Sequence, residues 1–317
     1  MLKILYVTSS SFSGSTFLSF LLNTHPDIAT TGETEGWRDA DVDTFKCSCG
    51  QVLKSCPFFK SIADVFRQNG MPFAYNNFGT SYRLVNSTRF NQYLTGALPF
   101  IRNSSVERLR DGIVTHLPGF SKLIAQSNRA NIMFMRTALS RAGATVFLDI
   151  DKNPYRLRYL RRLEDVDLRV LYLIRDPRGV VLTFMENRGW DAATATKVWI
   201  REQLDILRIM KEFPSFHRIY YEDLCEDVNT VLAGIHRYLE LRALPFSGDF
   251  RGAEHHILGN SMRLENVGKI VKSERWKTKL SIDDQEVVAR VVRAYIERHR
   301  GDPLADILGR YMPEPRQ

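Results

Sequence analysis

What most constrains this chain is one passage near its start. The short apolar run Ile4-Leu5-Tyr6-Val7 passes through Thr8-Ser9-Ser10-Ser11-Phe12-Ser13-Gly14-Ser15-Thr16 into the helical pattern Phe17-Leu18, Phe20-Leu21-Leu22. A buried strand, a Ser/Gly turn and a helix, in that order, make an anion-binding arrangement. Gly14 lets backbone approach a phosphate closely, and the first-turn N–H groups and the Ser15 and Thr16 hydroxyls can donate to its oxygens. The same residues also read as a Ser-rich turn that simply caps a helix, so context must decide. A nucleotide triphosphatase loop needs Gly-x4-Gly-Lys-Ser/Thr, with the lysine on the outer phosphates and the hydroxyl on magnesium. Here Gly14 stands between Ser13 and Ser15, and that lysine is missing.

Further along, residues 170–174 form a second short apolar run ended by turn residues, and residues 145–150 and 218–221 are weaker examples. Each precedes a helical pattern, which predicts an α/β chain with a central, mostly parallel sheet flanked by helices. Residues 60–140 carry polar turns such as Asn76-Asn77 and Asn103-Ser104-Ser105 between helically spaced apolar residues. They are expected to form a helical insertion or acceptor lid over one end of the sheet, inside a single domain of residues 1–317. Val198-Trp199-Ile200, Leu204, Ile206-Leu207 and Ile209-Met210 have the spacing of an amphipathic helix packed on that sheet, a structural role.

Composition narrows the partners. The 44 Lys+Arg against 36 Asp+Glu give a formal charge of +8, without any dense Lys/Arg run of the kind that marks a nucleic-acid arm. A small, highly charged anion is the better match. Four cysteines are too few for a disulfide scaffold, and Met1-Leu2-Lys3-Ile4-Leu5-Tyr6-Val7 lacks the layout of a signal peptide. A reducing, cytoplasmic address is therefore expected. The most apolar stretches, residues 17–22 and 170–174, fall far short of the roughly 20 residues of a membrane helix.

The run 170–174 ends at Arg175-Asp176-Pro177-Arg178, followed by Gly179-Val180-Val181-Leu182-Thr183. Pro177 suits a first helical position. Arg175 would lie at the carboxyl end of a central parallel strand, where open α/β sheets bind ligands. The plainer reading is a surface ion pair of Arg175 or Arg178 with Asp176. Two anion-binding turns on one sheet weigh against it.

Together these two elements resemble the sulfotransferases that use 3'-phosphoadenosine 5'-phosphosulfate (PAPS), a P-loop-NTPase-like fold. The resemblance implies that Ser13, Gly14, Ser15 and Thr16 hold the 5'-phosphosulfate, and that Arg175 and Thr183, eight residues on, hold the 3'-phosphate. His25-Pro26-Asp27 followed by Gly32-Glu33 is similar to the segment carrying the acceptor-activating glutamate in tyrosylprotein and carbohydrate sulfotransferases. Glu33 thus becomes the general base, with Glu35 in reserve. Tyr221-Glu222-Asp223-Leu224 resembles the strand end whose tyrosine lies by the adenine, and Asp151-Lys152 the mid-chain lysine element. Gly259-Asn260-Ser261-Met262-Arg263 and Lys272-Ser273-Glu274-Arg275-Trp276 resemble the last cofactor loop, which makes Arg263 a second candidate for the 3'-phosphate. The likeness covers residues 1–56 and 145–280 in family order. One departure stands out: the family usually places Lys or Arg before Ser-Gly-Ser/Thr-Thr, and here that residue is Phe12. Lys152 is the candidate replacement, in Lys152-Asn153-Pro154.

The expected activity is sulfuryl transfer from PAPS to a hydroxyl of a carbohydrate or other small acceptor, releasing PAP and needing no metal. A P-loop kinase or NTPase, and a catalytically silent nucleotide-binding protein on the same fold, are the alternatives. Cys47-Ser48-Cys49-Gly50 to Cys56-Pro57-Phe58 resembles a loop of a bacterial branch of these enzymes. Its three sulfurs would bind zinc only with a fourth ligand that the sequence does not name, so packed thiols are the favoured reading. His255-His256 reads as exposed polar residues, and Cys225 as a packed thiol.

Overall fold

The computed structural model describes residues 1–35, 41–98, 101–265 and 267–312. Five parallel strands make one sheet in the order β2-β3-β1-β4-β5. They are β1 (Leu2–Ser9), β2 (Ile28–Gly32), β3 (Val146–Lys152), β4 (Val166–Ile174) and β5 (His217–Tyr220). The four apolar runs of the sequence are β1, β3, β4 and β5, although Tyr221 leaves the strand and opens a helix instead. Only β2 escapes the pattern, because Ile28-Ala29-Thr30-Thr31-Gly32 holds two apolar residues in five. It is fixed as an edge strand partly by Thr30 Oγ1, which donates to the Leu148 carbonyl at 2.7 Å.

Alternate residues of the strands feed two cores, as the period of two requires. Leu5, Val7, Leu148, Ile150, Leu171 and Leu173 face α1 (Ser15–Leu22). Ile4, Tyr6, Phe147, Val170 and Tyr172 face the opposite layer. Between β2 and β3 run α2 (Pro57–Gln68), α3 (Thr88–Thr95), α4 (Ser104–His116) and α5 (Pro118–Ala142). The expected insertion is therefore helical, but its last helix does more than cover an end. Phe134, Met135, Ala138 and Leu139 of α5 are buried in the sheet's core. Short α6 (Leu157–Leu160) then leads to β4.

After β4 come α7 (Pro177–Arg188) and α8 (Ala192–Met210). Pro177 is the first residue of α7, and the Asp176 side chain caps it by accepting from Arg178 N at 2.9 Å. On α8 the fully buried Trp199, with Ile206, Ile209 and Met210, forms the apolar face read from the sequence. The chain finishes with α9 (Tyr221–Glu226), α10 (Val228–Tyr238), α11 (Trp276–Lys279), α12 (Ile282–Arg298) and α13 (Pro303–Tyr311). No helix among the described residues is long and apolar enough to cross a membrane.

Candidate active site

Parallel strands bring all their carboxyl ends to one edge, and in this sheet every end delivers a residue singled out above. The loop after β1 holds Ser13 to Thr16, Glu33 directly follows β2, Lys152 ends β3, Arg175 follows β4 and Tyr221 follows β5. Open α/β sheets bind ligands along this edge. The five elements meet because the strands do, although the outermost, Glu33 and Tyr221, lie 188 positions apart in the sequence, from 221 less 33.

Gly14 caps α1 with a left-handed φ of 93° and no side-chain cap bond, so the helix N-terminus presents backbone N–H groups. A Cβ at Gly14 would sit 2.7 Å from the Tyr221 ring, which leaves glycine as the only residue that fits. Ser15 and Thr16 are buried in the first turn, Ser10 and Ser13 hydroxyls lie 2.7 Å apart, and the buried Ser9 Oγ has no partner among the described residues. A cradle of N–H and O–H donors with a spare buried hydroxyl fits a phosphosulfate. Phe12, standing where a cation was expected, turns its ring onto Phe184 at 5.4 Å between centroids.

Arg175 binds the loop itself: Nη1 donates to the Phe12 carbonyl at 2.9 Å, and Nη2 to the Ser273 carbonyl at 3.4 Å. Its guanidinium lies 4.5 Å from the centre of the Tyr221 ring, whose hydroxyl accepts from Ser273 N at 3.0 Å. The ion pair considered for this turn belongs to Arg178, which meets Asp176 at 2.6 Å; no carboxylate pairs with Arg175 among the described residues. Arg175 lines a pocket of about 320 Å³ with Arg178, Lys272, Ser273 and Trp276 and with the carboxylates of Asp176, Glu222 and Glu274. Thr183 lies on α7 and donates to the Gly179 carbonyl at 3.0 Å. Arg263 is engaged with backbone, on a loop whose Gly259 packs against Thr16. It is buried, its donors go to the carbonyls of Lys46, Gly259 and Asn260 at 2.9, 2.9 and 3.0 Å, and it lies over the Phe45 ring. Those bonds fasten two loops together.

On the other side of β1, Lys152 and Glu33 form an ion pair, with side chains 23% and 20% exposed. Lys152 takes a left-handed φ of 68°, rare for a lysine, while Thr8 Oγ1 holds its carbonyl at 2.9 Å. With Ser9 and Ser11 it lines an open pocket of about 340 Å³, so its charge shares a space with the anion loop. Beneath the pair lies a group that the sequence reading missed. Buried Arg156 meets Glu35 at 3.2 Å, Asp149 at 3.4 Å and Asp151 at 3.5 Å. Burial and the neighbouring carboxylates push Asp151 well above the usual carboxylate range, and burial raises Asp149 against the pull of Arg156. Glu35, the reserve base, belongs to this group.

A second missed residue is Glu202, on the helix read as purely structural. Its carboxylate accepts from Ser11 N at 3.3 Å, and burial pushes its pKa up to about 7. Only a contact 191 positions apart reveals it, and no spacing in the sequence signals such a contact.

Comparison with known proteins gives a family. The family model described as "Sulfotransferase family" matches residues 5–245. The chain is similar to the sulfotransferase domain from the curacin biosynthetic pathway, at 16% identity and TM-score 0.49, over 92% of this chain and 98% of that one. It is also similar to the sulfotransferase domain from the Synechococcus PCC 7002 olefin synthase, at 17% identity and TM-score 0.44, over 91% and 94%. Sulfotransferase STF1 from Mycobacterium tuberculosis H37Rv matches at 17% identity and TM-score 0.38, over 76% and 68%. No curated protein matches significantly.

Proposed function

The chain belongs to the sulfotransferase family, and from that premise we propose that it transfers a sulfuryl group from PAPS to a hydroxyl of a small polar acceptor, releasing PAP. The observation that carries this reading is the meeting, on one sheet edge, of a donor-lined loop, an arginine that pairs with no carboxylate among the described residues and a Glu33–Lys152 pair. Ser13, Gly14, Ser15 and Thr16 hold the phosphosulfate through backbone and hydroxyl donors. Arg175 carries the 3'-phosphate with Thr183 alongside, and Tyr221 faces the adenine. Arg263 serves by keeping the 259–263 loop in place.

Once bound, PAPS supplies the sulfuryl group, whose bond to the 5'-phosphate oxygen breaks as the acceptor oxygen bonds to sulfur. Glu33 takes the acceptor's proton, a role worth about 10²- to 10⁴-fold in rate. Lys152, released from Glu33 as the acceptor hydroxyl enters, faces the charge that grows on the leaving oxygen and supplies the cation missing at Phe12. The acceptor lies in a polar pocket of about 170 Å³ lined by Ser81, Thr88, Asn91, Thr95 and Asn153, next in sequence to Lys152, together with Glu35, Arg83, Arg156, Tyr82 and Tyr159. Hydroxyl and amide side chains of this kind suit a carbohydrate or another polyhydroxylated molecule. Purified protein given PAPS and a panel of hydroxylated acceptors, without added magnesium, is expected to release PAP in step with acceptor sulfation. Magnesium-dependent ATP hydrolysis in place of PAP release would overturn the reading.

A further inference from the structure

The three cysteines between β2 and α2 are not simply packed thiols. The fold brings His256 to them from 200 positions away. One ligand atom from each of Cys47, Cys49, Cys56 and His256 falls in a group whose members all lie within 4.8 Å of one another. Cys49 Sγ is 3.7 Å from Cys56 Sγ, and His256 Nδ1 is 3.2 Å from Cys56 Sγ and 3.8 Å from Cys47 Sγ. With Zn–S bonds of ~2.3 Å and Zn–N of ~2.0 Å, the edges of a tetrahedron measure ~3.8 Å between sulfurs and ~3.5 Å from sulfur to nitrogen. The three separations of 3.7, 3.2 and 3.8 Å lie within a few tenths of an ångström of those edges, and none of the others exceeds 4.8 Å.

We propose that Cys47, Cys49, Cys56 and His256 bind one structural zinc ion, which clasps the loop before α2 to the segment that carries the last candidate cofactor loop. The surroundings are those of a metal centre. His256 turns Nδ1 to the sulfurs while Nε2 meets the Glu254 carboxylate at 2.9 Å, the carboxylate–histidine pairing that orients a metal-bound imidazole. Phe58 stacks on the ring at 4.6 Å, holding its plane. Cys47 and Cys49 flank a tight turn closed by Gly50 N donating to the Cys47 carbonyl at 2.9 Å, and Cys56 caps the N-terminus of α2. Three thiolates, one neutral imidazole and Zn²⁺ leave one net negative charge. The Arg263 guanidinium, bonded to the Lys46 carbonyl, stands beside it.

The clasp has a purpose in this fold. Ser48 Oγ accepts from Ile257 N at 2.7 Å, and Leu258 N donates to the Thr31 carbonyl at 2.8 Å. The segment after His256 is thereby seated against β2, two residues before Glu33. Contact is so close that a Cβ on Gly32 would fall 2.0 Å from the Leu258 carbonyl oxygen. A zinc ion at one end of this seam would hold the Glu33 strand end and the 259–263 loop in fixed relation.

Tag-free protein purified without chelator is expected to contain one zinc per chain by elemental analysis. Replacing zinc by Co²⁺ should give the thiolate-to-cobalt charge-transfer band and the visible bands of a tetrahedral site. Zinc should fall to background in Cys56→Ser and His256→Asn, and stay at one per chain in Cys225→Ser. Should the core variants fail to fold, Cys49→Ser removes an exposed ligand, and the cobalt spectrum of the unaltered protein needs no variant. Zinc well below one per chain, a cobalt spectrum without the thiolate band, or a Cys49–Cys56 disulfide in the freshly purified protein would each overturn the proposal. None of these readouts uses turnover, so the zinc site and the sulfuryl-transfer reading stand or fall separately.

Discussion

On the β4–β5 side of β1, the site is made of single groups set by local turns. Arg175 follows a strand end, its neighbour Asp176 caps the next helix, and Tyr221 opens α9 directly after β5. On the β3–β2 side, the site is made of paired and clustered charges drawn from distant segments: Lys152 against Glu33, and Arg156 among Glu35, Asp149 and Asp151. The first side keeps an arginine charge unmatched by carboxylate, as suits a half that waits for a fixed anion. The second pairs its charges internally, Lys152 and Arg156 against Glu33, Glu35, Asp149 and Asp151, with Asp149 and Asp151 pushed by burial toward their protonated forms.

The largest expected effect lies in the buried cluster. Arg156→Met leaves Asp149 and Asp151 without their cation and should cost about 3–5 kcal/mol in denaturant unfolding. Burial raises both carboxylates in the folded state, so without Arg156 the fold holds protons that the unfolded chain gives up. Stability of the variant should then be greatest in acid and fall as pH rises above the ordinary carboxylate range. A loss under about 1 kcal/mol, flat with pH, would show that the β3–β2 half does not depend on this balance.

Next comes Glu33→Gln. Single-turnover sulfuryl transfer should slow by about 10²- to 10⁴-fold, while PAP affinity stays unchanged. A fall in affinity with rate intact would move Glu33 to the other half of the comparison.

The smallest effect concerns Glu202, which sits where the halves meet. It is protonated below about pH 7 and charged above, facing the loop that is to hold an anion. PAP affinity of the unaltered protein should therefore weaken, relative to Glu202→Gln, as pH rises from 6 to 8, by on the order of fivefold, about 1 kcal/mol of repulsion. Parallel pH profiles for the two proteins would remove Glu202 from the anion site.

The same contrast explains what could be read from the sequence. The β1 loop, Arg175 and Tyr221 lie in contiguous motifs, where a strand, its turn and its helix are neighbours along the chain, so the sheet and the positions of these residues at its edge were legible. Glu33 and Lys152 were named through a family likeness, but their contact, 119 positions apart, was not. Arg156 and Glu202 gave no signal, and His256, read as an exposed polar residue, is 12% exposed beside the cysteines; each is a single polar residue whose surroundings depend on a partner across the fold. β2 was missed because two of its five residues are threonines, which break the hydrophobic pattern, and Thr30 Oγ1 bonds the Leu148 carbonyl instead. Arg263 was placed by motif alone, and its guanidinium proved to be bonded to backbone carbonyls.

The central claim is that Arg175, which pairs with no carboxylate among the described residues, carries a 3'-phosphate, and one measurement addresses it directly. Calorimetric titration of the unaltered protein and of Arg175→Ala with PAP, and separately with adenosine 5'-phosphosulfate, which lacks the 3'-phosphate, compares the loss on removing the arginine. The account predicts that PAP loses about 10- to 100-fold in affinity, the size of a charge-assisted hydrogen bond, while adenosine 5'-phosphosulfate changes little. Equal weakening of both ligands would mean that Arg175 only holds the Phe12 turn in shape, and would contradict the assignment.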